Sequence, residues 1–112
     1  MLRTLMVTTT SALLMCQVSA ASAQVIDSLQ GQFAFNWHTE PAKTTCAAVD
    51  AQLLAKFKSD AYQCNLDVIT NTASGEPARV CTEHGDGAEY LIFQTQKSCD
   101  EERLTQASNS EE

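Results

Sequence analysis

The stretch "RVCTEHGDGAEYLIFQT", residues 79–95, contains two runs that are typical of β-strands, with a turn between them. Its second half is rich in the aromatic and branched side chains that sheets favour. Asp86 and Gly87 form a D-G pair, which supplies the positive backbone angles of a tight hairpin turn. The sequence therefore predicts strands over 79–84 and 88–95, joined as an antiparallel hairpin.

Two earlier segments show the alternation of half-buried strands. From residue 62 to residue 68, apolar and polar side chains alternate, and the turn formers of "NTASGEP", residues 71–77, end this run. Phe33, Phe35 and Trp37 also alternate with smaller residues, which predicts another strand near the start of the domain.

The segment over 45–57 fits a helix better than a strand. Val49, Leu53 and Phe57 fall four residues apart with alanines between them, and either of two preceding threonines can serve as the N-cap. A strand over 53–57 is the alternative interpretation.

A second, shorter helix is expected near the end of the chain. Ser98 and Glu101 have the spacing of a capping box and predict one or two helical turns over 100–106. The last residues, "ASNSEE" at 107–112, have no large apolar side chain to bury and predict a disordered acidic tail.

These elements together predict an α+β fold in a single small domain over 24–106. It would contain an antiparallel sheet of three to four strands and one or two short helices, held by two disulfides. An all-β small meander or barrel is the alternative, which applies if the segment over 45–57 is a strand.

The first 23 residues have the pattern of a cleaved signal peptide. Arg3 is the only charged residue among them, an apolar stretch follows, and residues 21–23 form a small-x-small cleavage pattern. The apolar stretch is shorter than the roughly 20 residues that span a bilayer, so we expect no membrane insertion after cleavage. Lipid attachment at Cys16 is disfavoured because Met15 before it is not small. We expect a periplasmic or secreted protein.

Four cysteines remain after that cleavage, and an even number in a short exported chain predicts disulfides. Their spacing contains no close pair of the kind that structural zinc sites use. If residues 61–95 form a meander, the turn over 71–77 and the end of the last strand lie at one end of the sheet. A helix or strand before residue 61 that packs antiparallel to its neighbour also begins at that end. This favours Cys46 with Cys99 and Cys64 with Cys81. Sequential pairing is the main alternative.

The predicted mature chain is acidic. Removal of Arg3 with the leader leaves six basic residues against fourteen acidic ones, a formal charge of −8. Nucleic acids and anionic membranes are bound chiefly through Lys and Arg, so neither is expected as a partner. A basic exported protein is the partner that this charge allows, although net charge of this size also simply keeps a small domain soluble.

No motif in the chain predicts a cofactor, a metal site or a set of catalytic residues. Glu83, His84 and Asp86 cluster around the hairpin and are the only candidates for an enzyme, but solvated charge at a turn explains them as well. Cys81 is expected to be bonded and therefore not a nucleophile.

The aromatic residues are the better candidates for a binding surface, because small domains often use exposed rings as anchors in a partner's pocket, although core packing is the ordinary role of such a set. The candidate partner-binding residues are Phe33, Phe35, Trp37 and Tyr90. We therefore expect a small exported acidic binding protein, such as an inhibitor or immunity-type partner of a basic exported enzyme, and not an enzyme. An envelope accessory or stress protein without catalytic activity is the first alternative, and a small hydrolase-like enzyme that uses the hairpin cluster is the second.

Overall fold

A computed structural model describes residues 26–39, 43–85 and 87–110 of the chain. The predicted signal peptide over 1–23 lies outside these residues, and so does Asp86. The described residues form a five-stranded antiparallel sheet with a helix on each face, which confirms the α+β class. In chain order the strands and helices are β1 (Phe33–Asn36), β2 (Ala47–Ala48), α1 (Ala51–Lys58), β3 (Tyr62–Ile69), β4 (Ala78–Glu83), β5 (Glu89–Phe93) and α2 (Gln96–Ser110).

The strand order is β2-β1-β5-β4-β3, so the predicted meander β3–β4–β5 is extended by the first strand. β1 pairs with β5, and the register places Phe35 opposite Leu91. The sheet has five strands rather than three to four because β2 adds a two-residue pairing to the outer edge of β1. Two alanines carry no periodic signal, so this strand is invisible in the sequence pattern.

α1 occupies the later part of the segment for which a helix was favoured over a strand. Its N-cap is Asp50, whose carboxylate accepts the Leu53 N–H at 2.8 Å. The predicted cap at the earlier threonines is wrong, because the chain forms β2 before it turns into the helix. Leu54 and Phe57 of α1 are buried against the sheet.

α2 is much longer than the one or two turns predicted. Thr95 caps it in place of Ser98: the Thr95 hydroxyl accepts the Ser98 N–H at 3.1 Å. The helix also continues past Gln106 to Ser110, into the segment predicted as a disordered tail, while residues 111–112 lie outside the described part of the chain. The helix is ordered because one of its faces packs against β1 and β5, although its polar composition predicted a disordered tail.

The hairpin between β4 and β5 forms where it was predicted, but its glycines have other roles. The positive backbone angle belongs to Gly85, with φ of 80°, and not to Gly87. Gly87 is instead a point of close approach, because a Cβ there would overlap the Glu83 side chain. The positive angle expected at Gly87 is thus found at Gly85, while Asp86 lies outside the described residues.

The two faces of the sheet carry separate apolar clusters. One face packs against α1 and the segment before β1, and we call it the closed face. Its buried residues are Leu29, Ala34, Val49, Leu54, Phe57, Cys81 and Ile92. The other packs against α2, and we call it the open face. Its buried residues are Phe35, Ala78, Leu91, Phe93 and Cys99.

Two disulfides are present, as predicted, and each lies in one of these clusters. Cys64 and Cys81 are direct cross-strand partners on β3 and β4, with a Cα–Cα distance of 4.0 Å, and belong to the closed face. Cys46 is bonded to Cys99, with a Cα–Cα distance of 6.1 Å, and ties α2 to the chain just before β2. These are the two pairs that the strand order favoured.

Candidate functional site: the groove beside the second helix

α2 covers only part of the open face. It packs against β1 and β5, and among the described residues no helix lies on the open face of β4 and β3 beyond them. A groove of about 670 Å³ lies along this boundary. It is lined by Trp37, by the open face of β3, β4 and β5, by the loop after β3, and by the last turns of α2. The lining residues are Trp37, Ile69, Asn71, Thr72, Ala73, Val80, Glu89, Leu91, Glu102, Gln106, Asn109 and Ser110.

The floor of the groove is apolar. Ile69, Val80 and Leu91 come from three adjacent strands and point to the same face, because antiparallel partners share a face. Leu91 is 7% exposed, and the other two are half-buried at the edge of the cluster that α2 covers. This floor is the part of the open-face core that continues beyond the helix.

Trp37 and Glu89 form one end of the groove. The Trp37 indole N–H donates to Glu89 Oε1 at 2.7 Å, and the Thr82 hydroxyl donates to Glu89 Oε2 at 2.7 Å. The Trp37 backbone N–H also donates to the Glu89 carbonyl at 3.0 Å, which continues the pairing of β1 with β5. The indole is 38% exposed, so its position is held by these hydrogen bonds and not by burial.

His38 lies beside this pair, at the end of β1. Its Nδ1 is 3.0 Å from the Gly87 carbonyl oxygen, which can only accept, so Nδ1 carries the proton in the neutral ring. Nε2 then faces Glu89 Oε1 at 3.8 Å, and the imidazole packs edge-on to the Trp37 indole at a centroid distance of 4.7 Å. His38 thus borders the carboxylate without closing the groove.

Glu102 on α2 is the buried charge of the site, with 1% of its surface exposed. Its carboxylate accepts N–H groups from Ala73 at 3.1 Å and Ser74 at 2.8 Å, and the Gln106 side-chain amide at 2.7 Å. Burial by itself raises the pKa of Glu102, but the hydrogen bonds from Gln106, Ser74 and Ala73 outweigh it and hold the pKa below its usual value. Glu102 therefore anchors the loop after β3 to the helix.

The electrostatic character of the groove follows from its lining. Its two charged residues, Glu89 and Glu102, are both carboxylates, and the other polar groups are amides and hydroxyls. Three hydrogen bonds already occupy the Glu102 carboxylate. Glu89 is therefore the charged acceptor that a ligand can reach, and its side chain is 24% exposed.

The structure separates the four aromatic residues that we considered for partner binding. Phe35 is buried under α2, and Phe33 packs against the same cluster. Tyr90 points to the closed face, where its ring lies 5.4 Å from that of Phe57. Trp37 is the member of the set that lines the groove.

Of the charged cluster predicted at the hairpin, the structure describes Glu83 and His84, while Asp86 lies outside the described residues. Glu83 Oε1 accepts the Ala88 N–H at 3.0 Å, and the His84 backbone N–H donates to the Ala61 carbonyl at 2.9 Å, while the His84 side chain is exposed. Burial and then the charge of Glu83, with a smaller contribution from Tyr90, raise the pKa of Tyr62.

The two charged residues of the groove, Glu89 and Glu102, were not identified as site residues from the sequence. Glu89 has no local signal, because its contact with Trp37 joins residues 52 positions apart in the chain. Burial of Glu102 was not predicted, because the predicted helix of one or two turns was too short to indicate which of its faces packs on the sheet. The i,i+4 spacing of Glu102 and Gln106 is the pattern that could have drawn attention to it.

Among the residues that the structure describes, none of the helices is long and apolar enough to cross a membrane. Within the same ranges, no group of three or more His, Cys, Asp and Glu side chains is placed to hold a metal ion. Comparisons of the chain with protein-family models, with curated proteins and with solved structures found no match.

Proposed function

We propose that this protein is a small exported binding protein that acts as an inhibitor or immunity-type partner of a basic exported enzyme, and that the partner docks in the groove beside α2. One observation carries the proposal: the exposed Trp37 stands at the end of an apolar groove whose charged lining residues are both carboxylates.

Charge supports a basic partner at two scales. The whole chain has a formal charge of −7, which favours encounter with a positively charged surface. At short range, the carboxylate of Glu89 would meet a cationic group, and complementary charges of this kind set the partner and the orientation of a complex.

The composition of the groove supports binding to a protein surface. Tryptophan is among the residues that most often dominate the energy of protein interfaces, and such anchors act best beside well-packed apolar surface. Here Trp37 adjoins the floor formed by Ile69, Val80 and Leu91. The volume of about 670 Å³ can hold one or two side chains of a partner.

The two disulfides support an oxidising compartment, because such bonds persist outside the reducing cytosol. The leader-like residues at the start of the chain agree with export.

Capture from the envelope fraction of the source cell tests the proposal. The immobilised wild-type protein is compared with Trp37→Ala, with Glu89→Gln and with Leu104→Ala, whose side chain is 55% exposed on α2 and does not line the groove. We expect a basic protein to be retained by the wild type and by Leu104→Ala and to be lost with both groove variants.

The same experiment can contradict the proposal. If all four baits retain the same proteins, the groove is not the docking site. If what they retain is a membrane or wall complex, an accessory role in the envelope explains the protein better than inhibition of an enzyme.

A further inference from the structure

We infer that the group received by the groove is an arginine side chain of the partner, with its guanidinium on Glu89, beside the indole N–H of Trp37. This inference rests on the proposed function, since it names the chemistry by which the same groove recognises a basic partner. It follows from the state of the Glu89 carboxylate, from the position of the indole ring and from the apolar floor.

The Glu89 carboxylate is oriented but not neutralised. Each of its oxygens accepts one hydrogen bond, from Trp37 and from Thr82, and each keeps a further lone pair. In the part of the chain that the structure describes, its ion-pair contact is His38 at 3.8 Å, which carries charge only when protonated, and no lysine or arginine is paired with it. A fixed carboxylate with free acceptor sites is the group that a guanidinium binds with two parallel hydrogen bonds.

The indole edge borders the same place. Because Glu89 Oε1 accepts the indole N–H at 2.7 Å, a cation on this carboxylate lies beside that edge and changes the environment of the N–H. Guanidinium is planar and presents parallel N–H groups, so it matches a fixed carboxylate better than an ammonium group does.

The floor fits the rest of an arginine side chain. Its three methylene groups can lie along Val80 and Leu91 while the charged end reaches Glu89. Glu102 is not an alternative acceptor, since it is buried and already accepts three hydrogen bonds.

A titration of the ¹⁵N-labelled protein with the capped peptide acetyl-Gly-Arg-Gly-amide tests the inference. The chain has one tryptophan, so the indole N–H resonance of Trp37 reports on the site without assignment of other signals. Matched peptides carry lysine or citrulline, an uncharged analogue of arginine, in place of arginine.

We expect the arginine peptide to shift the indole resonance in a saturable way at millimolar concentrations. The lysine peptide should bind several-fold more weakly, and the citrulline peptide should give no saturable shift. Glu89→Gln should weaken the arginine peptide by about tenfold or more, the effect of losing one charge-assisted hydrogen bond. Its amide oxygen can still accept the Trp37 N–H, and Leu104→Ala should bind as the wild type does.

The inference is overturned if the arginine peptide gives no saturable shift, or if the citrulline peptide gives the same one. This failure can be told apart from failure of the proposed function. If a basic partner is lost with Trp37→Ala but the peptide titration gives no saturable shift, arginine recognition is contradicted and the groove is still the docking site. Arginine binding without any groove-dependent partner removes the proposed function instead.

Discussion

The closed and open faces of the sheet differ in how completely they are covered. On the closed face, Phe57 of α1 packs edge-on to Tyr62 and Tyr90, with ring centroids 5.7 and 5.4 Å apart. On the open face, Phe35 and Phe93 stack at 6.4 Å beneath α2, and the apolar surface then continues past the helix into the groove. One face is thus packed beneath α1 and the segment before β1, whereas on the other face the apolar surface extends beyond α2 into the groove.

This difference shows how a chain of this size can keep an uncovered apolar surface. A domain of fewer than 100 residues buries a small core and has little stability to lose. Here each face is also crosslinked, the closed one by Cys64–Cys81 and the open one by Cys46–Cys99. Disulfides stabilise the fold without burying the apolar surface of the sheet, so part of the open face can stay exposed in the groove.

Removal of the disulfides should give the largest effects and should separate the two faces. The Cys46–Cys99 bond spans 53 residues, and loop closure predicts a loss of about 4 kcal/mol in the free energy of unfolding for Cys46→Ala with Cys99→Ala. The Cys64–Cys81 bond spans 17 residues and predicts about 3 kcal/mol. Denaturant titrations measure both values.

Hydrogen exchange on the same two variants sharpens the comparison. Loss of Cys46–Cys99 should increase amide exchange in α2 before it does so in α1, because that bond links α2 to the segment just before β2. Loss of Cys64–Cys81 should affect β3 and α1 first. If both variants lose protection uniformly, the two faces unfold as one unit and the comparison fails.

Glu102 should give the next largest effect, and a dependence on pH. Its folded pKa is lowered, so its stabilising contribution is present above the unfolded value, about 4.3 for a glutamate, and is lost as the pH falls through the folded value. At neutral pH, Glu102→Gln should lower the free energy of unfolding by about 2 kcal/mol, because a charged acceptor of buried N–H groups is lost. The difference from the wild type should shrink as the pH falls below 4.

Glu101 provides the matched control one position earlier on the same helix. It pairs with Lys97 at 3.1 Å on an exposed surface, where ion pairs contribute little. Denaturation of Glu101→Gln across the same pH range should therefore follow the wild type closely. Equal effects of the two variants would mean that Glu102 does not anchor the loop after β3 as the structure indicates.

The sequence predicted the closed face better than the open one. Alternation over 62–68 and the helical spacing of Leu53 and Phe57 are local signals, and they describe β3 and α1 well enough to favour Cys64 with Cys81. The open face depends on contacts between distant residues. The pairing of β1 with β5 and the hydrogen bond from Trp37 to Glu89 have no local signature.

The length of α2 explains why the groove could not be predicted. Its polar sequence suggested a short helix and a disordered tail, and only the packing of α2 on β1 and β5 orders its last turns. Asn109 and Ser110, which line the groove, lie beyond the predicted helix. The end of the groove wall was therefore absent from the predicted fold, and the aromatic residues were considered without it.

Trp37 should give the smallest change in stability and the clearest contrast with an aromatic residue of the closed face. Trp37 is 38% exposed and lies at the edge of the apolar floor, so Trp37→Ala should lower the free energy of unfolding by about 1 kcal/mol or less. Tyr90→Ala removes a ring that packs against both Phe57 and Tyr62 and should cost at least twice as much. Chemical denaturation followed by circular dichroism measures both, since it does not depend on tryptophan. A loss at Trp37 as large as that at Tyr90 would make the indole a part of the core, and the groove variants would then no longer separate binding from folding.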